Sequence, residues 1–434
     1  MLKQIIFLLS LAAAALFTET TQAATNLATI IKAGHLVDTV GGAVLANQMI
    51  LIEGDIIKEV GANLPIPDTA KVIDLGNAWV LPGLIDCHTH ITSEIENYTQ
   101  DLFRKSPIDV AVSAHIYAQR TLEAGFTACR DVGSAEFIDV ALKKAIDSGK
   151  IPGPRLFVAG HILSATGGHG DLSGFSPYLR FGNFDGVVDG IDEIRKKIRW
   201  NIKFGADVIK FTATAGVLSE EESVGAPQFS FEEMKAIVEE AAMWGRKVAA
   251  HAHGTEGIKR AVRAGVISIE HGSLLDDEGV ALMKQHGTFL VPTVYVGDSV
   301  EANGKRWGLP QKLLDKAHLI NAQKSESLRK AIRGGVKIAY GTDAGVFAHG
   351  LNASDFRRLV ELGMAPMQAI QSATLTAAEL LGQTNHLGSL QPGKFADLVA
   401  LPTDPLQNIS TLEKIPFVMK GGTVFKNTIN QDKE

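Results

Sequence analysis

The stretch VLPGLIDCHTH, from Val80 to His90, places two histidines one residue apart at the end of a short apolar run. Side chains two residues apart on a β-strand point to the same face, with roughly 6–7 Å between their Cβ atoms. Two imidazoles at that spacing can bind one metal ion, at about 2.1 Å from it. The alternative is two ordinary strand histidines that bind no metal. Other residues of the chain are needed to distinguish the two interpretations.

The composition restricts the class of protein. The chain has 434 residues, 45% of them hydrophobic, and a formal net charge of -6. This length favours one large domain plus a smaller one. Because the chain has no basic tract, we expect no nucleic-acid partner. The two cysteines, Cys87 and Cys129, lie in apolar runs, which favours buried free thiols over a disulfide.

The first residues are typical of an export signal. Lys3 precedes an apolar run at 5–17, and Thr21-Gln22-Ala23 supplies small residues for cleavage. We therefore predict a signal peptide at 1–23 and a periplasmic or secreted mature protein. A buried N-terminal helix or a short membrane anchor is the alternative, but the run is short for a bilayer. We expect no membrane span in the mature chain.

The two ends of the chain share a β-rich texture. Short β-rich runs alternate with turn residues at 24–80, and the same pattern returns at 390–434. Since chain termini often lie close together, these segments predict one small β-sandwich domain built from both ends. The segment between them, 81–389, would form the second domain.

That middle segment alternates eight apolar or β-rich runs with helical patterns. In the helical stretch at 230–245, Ser230 is the expected N-cap and Gly245 the stop. This rhythm predicts an α/β fold, a (β/α)8 TIM-type barrel. A doubly wound open sheet is the alternative, but no Gly-rich phosphate motif follows the first strand. The runs are 83–90, 127–133, 155–160, 208–214, 248–253, 267–271, 288–293 and 337–343.

Five of these eight runs end in or contain a potential metal ligand. In a barrel of this type the carboxyl ends of the strands form the active-site mouth, so the side chains would meet at one rim. Arg130 and Asp131, near the end of the second run, would form an ion pair there. The candidate ligands are His88, His90, Lys210, His251, His253, His271 and Asp343.

Lys210 lies inside the apolar strand ADVIKFT, where a charged amine is costly to bury and its pKa falls. A neutral amine can react with carbon dioxide to give a carbamate, whose two oxygens can bridge two divalent cations. A lysine paired with a carboxylate is the alternative.

The other candidates have distinct expected roles. His251 and His271, one βα unit apart, are natural partners for a second metal. His253 shares a face with His251, and we assign it to polarising a substrate carbonyl; the reverse assignment stays open. Asp343 could bind metal and accept a proton from water, or it could simply be a helix N-cap.

These motifs resemble the amidohydrolase superfamily across nearly the whole mature chain. Within it, the chain is similar to the imidazolonepropionase-related branch of metal-dependent prolidases and carboxypeptidases, which includes ochratoxinase. The motifs are PGLIDCHTH at 82–90, SATGGHGD at 164–171, VIKFTATAG at 208–216, YGTDAG at 340–345, and a tail from LGSLQPGKFADLVAL to VMKGGTVFKN.

The resemblance implies a centre with two divalent ions, with zinc the expected metal. His88, His90 and Asp343 would hold one ion, His251 and His271 the other, and carbamylated Lys210 would bridge them. A hydroxide between the ions would attack an amide carbonyl, with Asp343 as the general base.

The resemblance also implies a substrate: a dipeptide or N-acyl amino acid with a free C-terminal carboxylate. Xaa-Pro dipeptides and ochratoxin A belong to this class. His169 and Tyr295 are the expected substrate contacts, although His169 could merely order its loop and Tyr295 could be packing. A cyclic amidohydrolase and an exported, non-catalytic binding protein for a small ligand are the alternatives. Because such barrel enzymes are often multimers, a homo-oligomer is expected.

Overall fold

The described residues of this computed structural model, 28–176, 178 and 186–429, form fifteen strands and twelve α-helices. The strands are β1 (Thr29–Asp38), β2 (Ala43–Glu53), β3 (Ile56–Gly61), β4 (Lys71–Asp74), β5 (Trp79–Pro82), β6 (Leu84–Thr89), β7 (Phe126–Asp131), β8 (Arg155–Val158), β9 (Val208–Thr212), β10 (Lys247–Ala252), β11 (Ser268–His271), β12 (Phe289–Val291), β13 (Leu398–Leu401), β14 (Phe417–Lys420) and β15 (Thr423–Asn427). The helices are α1 (Tyr98–Arg104), α2 (Pro107–Glu123), α3 (Ile138–Asp147), α4 (Ile191–Phe204), α5 (Phe231–Met243), α6 (Thr255–Ala264), α7 (Asp277–His286), α8 (Tyr295–Asn303), α9 (Gln311–Gly334), α10 (Ser354–Glu361), α11 (Pro366–Ser372) and α12 (Leu375–Leu381).

Both ends of the chain join one eight-stranded sheet. Its order is β15-β14-β13-β5-β1-β2-β3, with β4 paired to β1, and antiparallel pairing of β13 with β5 connects the two ends. Buried side chains such as Ile31, Ile50 and Phe417 form its apolar core. The sandwich form and the boundaries 24–80 and 390–434 stay predictions. The expected signal peptide at 1–23 lies outside the described residues.

The middle of the chain forms two parallel sheets. Strands β6, β7 and β8 make one, and β9 to β12 make the other. Seven of the eight predicted runs overlap one of these strands. The eighth, 337–343, is not a regular strand, but it hydrogen-bonds on both sides: Leu290 N donates to Lys337 O at 2.9 Å and Cys87 N to Tyr340 O at 2.8 Å. This run therefore lies between β12 and β6.

The helices follow the local signals in the sequence. Ser230 caps α5 with a reciprocal capping box to Glu233, and Gly245 adopts a φ of +66° just after the helix. Both cysteines are buried and free, as predicted. Among the described residues, no helix combines the length and the apolar character that crossing a bilayer requires.

A core substitution in α2 tests the packing of the parallel sheets. Leu122 is fully buried in the main apolar cluster, whereas Val112 on the same helix is 65% exposed. We expect Leu122→Ala to lower the free energy of unfolding by about 2–5 kcal/mol because it leaves a cavity. Val112→Ala should change it by less than about 0.5 kcal/mol. Urea denaturation measures both, and equal losses would contradict the assigned burial.

Candidate metal centre

Polar side chains from both parallel sheets line one cavity of about 150 Å³. The structure therefore brings together residues that lie up to 255 positions apart in the chain. From the sequence-predicted set, the cavity lining includes His88, His90, His169, Lys210, His251, His253, His271 and Asp343.

His88 in β6 and His90 just after it are held by hydrogen bonds at their Nδ1 atoms. His88 Nδ1 lies 2.8 Å from Glu270 Oε2, and His90 Nδ1 lies 3.0 Å from the carbonyl oxygen of Gly133. Because a carbonyl oxygen only accepts, Nδ1 of His90 carries the proton and its Nε2 has a free lone pair. Anchoring through the other ring nitrogen is the usual support of a metal-binding histidine.

Two histidines near the ends of β10 and β11, His253 and His271, are anchored in the same way. His253 Nδ1 lies 2.7 Å from Ser273 Oγ, and His271 Nδ1 lies 2.7 Å from Thr293 Oγ1. The Nε2 atom of His251 is buried and has no hydrogen-bond partner within the described part of the chain. A bound metal ion would satisfy this nitrogen, which otherwise carries a desolvation cost.

Burial keeps these imidazoles neutral. It lowers the pKa of His90 to about 4, and it holds the pKa values of His251, His253 and His271 well below the ordinary range. Metal ions bind the neutral form of histidine, so the histidines are ready to coordinate at neutral pH.

Asp343 lies next to His88 and His90. Its Oδ1 is 3.4 Å from His88 Nε2 and 3.5 Å from His90 Nε2. Burial would raise the pKa of this carboxyl, but the interactions with His88 and His90 outweigh it and lower the pKa to about 2. Helix α10 begins only at Ser354, so Asp343 is not a helix N-cap.

The donor set fits divalent metal ions. Two overlapping triads have ligand atoms that all lie within 4.8 Å of one another, and His271 belongs to both. Imidazole nitrogens together with a carboxylate are typical zinc ligands. Because His251 and His253 share a triad, the division of roles between them stays a prediction. The triads are His251, His253 and His271, and His88, His271 and Asp343.

Lys210 projects its amine into the same cavity. Burial lowers its pKa to about 8, and no hydrogen-bond or ion-pair partner of its Nζ occurs among the described residues. The structure therefore contradicts the alternative, a Lys210 that is paired with a carboxylate. The amine is free for a covalent modification or a ligand.

Three residues around the cavity adopt a backbone conformation that is rare for residues other than glycine. The φ angles are +71° at His271, +47° at Thr293 and +66° at Asp343. Such conformations carry strain and cluster at functional sites, where the surrounding structure enforces them. At His271 and Asp343 the strained residue itself contributes a candidate ligand.

Glu270 is a buried residue that the sequence reasoning missed. Its Oε1 accepts a hydrogen bond from Arg130 Nη2 at 2.7 Å, while Oε2 contacts His88. The expected ion pair between Arg130 and Asp131 is wrong, because the guanidinium points across the interior to Glu270 rather than to its neighbour in sequence. The sequence signal that could have revealed Glu270 is a carboxylate inside the run ISIEH, residues 267–271.

The two expected substrate contacts differ in position. The His169 ring stacks on His251 with 4.2 Å between centroids and lines the cavity. Tyr295 begins α8, and its ring packs edge-to-face on Phe347 at 5.0 Å, outside the lining. Its role in substrate binding stays a prediction.

The remaining lining is mostly apolar. Helices α8 and α9, the segments after β8 and β9, and the loop before α10 supply it. Such a mixture of a polar centre and apolar walls suits a ligand with an apolar side chain. The apolar lining residues are Ile162, Val217, Leu218, Val296, Val300, Ala317, Ile320 and Val346.

A parallel-strand scaffold with a histidine- and carboxylate-lined cavity defines the class of metal-dependent hydrolases, and similarity to known proteins identifies the family. Residues 79–425 match the amidohydrolase family. The chain is 34% identical to ochratoxinase from Aspergillus niger over 429 residues, covering 92% of this chain and 86% of the relative.

Solved structures agree with this relationship. A Xaa-Pro dipeptidase with bound methionine in its active site is 41% identical, with a TM-score of 0.88 over 92% of this chain and all of the other. A prolidase complexed with N-methylphosphonate-L-proline is 33% identical, with a TM-score of 0.87 at the same coverage of both chains. The chain therefore belongs to the amidohydrolase family, whose members combine a TIM barrel with a β-rich domain. It is a hydrolase that acts on amide bonds.

Removing the cation beside Glu270 tests the buried ion pair. Arg130→Met leaves this carboxylate buried without its guanidinium, and we expect the free energy of unfolding to fall by about 3–5 kcal/mol. The control is Lys58→Met, which breaks a 3.3 Å pair with Glu53 whose side chains are 48% and 51% exposed; it should cost at most about 1 kcal/mol. Urea denaturation of both variants makes the comparison, and similar small losses would contradict the assigned role of Arg130.

Proposed function

We propose that this protein is a binuclear-metal amidohydrolase that cleaves dipeptides or N-acyl amino acids with a free C-terminal carboxylate. The observation that carries the proposal is the pair of overlapping triads that share His271, with the free amine of Lys210 in the same cavity. The ligands of two similar structures, methionine and an L-proline derivative, support an amino acid at the leaving side of the bond.

The proposed metal ligands are those that the resemblance to the amidohydrolase superfamily implies. His88, His90 and Asp343 would hold one ion, His251 and His271 would hold the other, and Lys210 as a carbamate would complete the ligand set; zinc is the proposed metal. When bound, the ions polarise the amide carbonyl and make water nucleophilic near neutral pH. The unpartnered amine of Lys210 supports the carbamate, since only a neutral amine reacts with carbon dioxide.

The protein's own residues then handle the proton and the carbonyl. Asp343 is ionised at neutral pH because its pKa is about 2, so it accepts the proton of the attacking water and passes it to the leaving amine. His253 is held through Nδ1 by Ser273, which leaves its Nε2 side for the substrate carbonyl oxygen.

The architecture and location belong to the same proposal. We propose that the two parallel sheets and the run 337–343 close one (β/α)8 barrel, and that 24–80 and 390–434 build a β-sandwich. An export signal at 1–23 would deliver the enzyme to the periplasm or the exterior. Membership of the amidohydrolase family removes the non-catalytic binding protein as an alternative. A cyclic amidohydrolase is less well supported, because Lys210 favours two metals and a peptide-like substrate.

A substrate panel tests this function directly. Metal-reconstituted protein should hydrolyse dipeptides and N-acyl amino acids with apolar C-terminal residues, such as proline and phenylalanine, because the cavity walls are apolar. Cyclic imidazolone- and hydantoin-like substrates serve as the comparison. Turnover of the cyclic substrates alone, measured by chromatography of the products, would replace the proposal with the cyclic amidohydrolase.

Lys210→Ala tests the bridging anion. We expect kcat/KM to fall by more than about 100-fold, beyond the loss typical of an outer-shell partner. Added short carboxylic acids should restore part of the activity by supplying the missing anion. The control is Lys247→Ala at the start of β10, outside the cavity lining, which should stay active and not respond to the acids. Full activity of Lys210→Ala without added acid would contradict the proposed bridging role of Lys210.

A pair of histidine variants tests the division of roles in β10 and the residue that follows it. We expect His251→Ala to lose one of two metal ions, measured by elemental analysis after reconstitution. His253→Ala should keep both ions and lose turnover, because its proposed partner is the substrate carbonyl. The opposite pattern of metal contents would show that the two assignments have to be exchanged.

A further inference from the structure

Lys324, a buried lysine on α9, opens onto the cavity beside the candidate metal ligands. It is 5% exposed, and its Nζ donates to Thr293 O at 2.5 Å and to Thr293 Oγ1 at 3.2 Å. An ammonium group has three donors, so one of them remains available to a ligand. Within the described ranges, no carboxylate oxygen lies within 4.0 Å of this nitrogen.

The buried ammonium group of Lys324 has no direct ion pair, because Asp355, Asp343 and Asp298 interact with it only from beyond 4.0 Å. The ammonium has given up part of its hydration, and neutral oxygens replace only some of it. An anion that enters the cavity and contacts Lys324 would supply the missing interaction. The cavity therefore favours a ligand with a negative charge at this point.

Lys324 also lies on the helix face that carries part of the apolar lining. Ala317, Ile320, Asn321 and Lys324 follow the i, i+3, i+4, i+7 spacing of one helix face, and all four line the cavity. An apolar surface next to a cation suits an amino-acid residue with an apolar side chain and a free carboxylate.

The position matches the geometry of an amide substrate. The Thr293 hydroxyl contacts both Lys324 and the Nδ1 atom of His271, at 3.2 and 2.7 Å, so one side chain separates the ammonium group from a candidate ligand. In a dipeptide, the carboxylate carbon lies three bonds from the scissile carbonyl carbon, roughly 4 Å at most. A cation that binds the carboxylate must therefore lie close to the metal centre.

We propose that Lys324 binds the free carboxylate of the substrate, while the adjoining apolar walls receive the side chain of the same C-terminal residue. The inference rests on the proposed function and makes it more specific, because it names the group that selects free acids. Its substrate class is amides whose leaving side is an apolar amino acid with an unblocked carboxylate.

The experiment compares one N-acyl-phenylalanine with its C-terminal amide, which differs only in the charge. In Lys324→Met, metal-loaded and full length, we expect kcat/KM for the acid to fall by about 100-fold, mostly through KM, as for a lost charged hydrogen bond. The value for the amide should change by less than about threefold. Lys324→Arg should keep a preference for the acid, because it keeps the charge.

The matched control is Lys316→Met. Lys316 lies on the same helix, is buried, and donates to the carbonyl oxygens of Ser219 and Glu221, but it does not line the cavity. In this variant, the ratio of kcat/KM for the acid to kcat/KM for the amide should equal that of the wild type. If folded Lys324→Met, with two metals bound, loses both activities equally, Lys324 only supports Thr293 and the proposal is overturned.

A binding measurement separates this proposal from the proposed function. If the wild type hydrolyses neither compound, the function fails, and calorimetry with the same acid and amide still tests Lys324. Binding of the acid that weakens at least tenfold in Lys324→Met, with unchanged binding of the amide, supports the carboxylate site. Equal affinity of the wild type for acid and amide overturns it.

Discussion

The buried carboxylate of Glu270 connects the strands that carry the candidate metal ligands. One oxygen contacts Arg130 of β7 at 2.7 Å and the other contacts His88 of β6 at 2.8 Å, while Glu270 itself belongs to β11. The interaction therefore connects the two parallel sheets through their interior. The salt bridge and hydrogen bonds keep the carboxyl ionised despite its burial, and its pKa lies far below the ordinary range.

The fixed orientation of His88 illustrates how the whole centre is built. Each anchored ring uses one nitrogen for a hydrogen bond inside the protein and turns the other toward the cavity. The anchors are chemically different: a carboxylate for His88, a carbonyl for His90 and hydroxyl groups for His253 and His271. Because the partners come from neighbouring strands and loops, the geometry of the candidate ligands depends on both parallel sheets rather than on any one strand.

The cavity contains two buried lysines whose environments give them different chemistry. Lys210 has no polar partner among the described residues, which leaves its amine free to carry a carbamate. Lys324 donates to both oxygens of Thr293 and stays close to them, which suits a fixed cation. Burial lowers the pKa of both amines to about 8, so their hydrogen bonds rather than their pKa values distinguish the two proposed roles.

The sequence by itself determined the alternation of strands and helices and the ligand candidates at strand ends. His88 and His90 share a face because a strand has a period of two, and this local rule can be read from neighbouring residues. The irregular run 337–343, the partnership of Glu270 with His88 across 182 positions, and the place of Lys324 in the cavity were decided by tertiary structure. These features depend on contacts between distant segments, and a helix face such as that of α9 has the same periodicity whether it meets a core or a substrate.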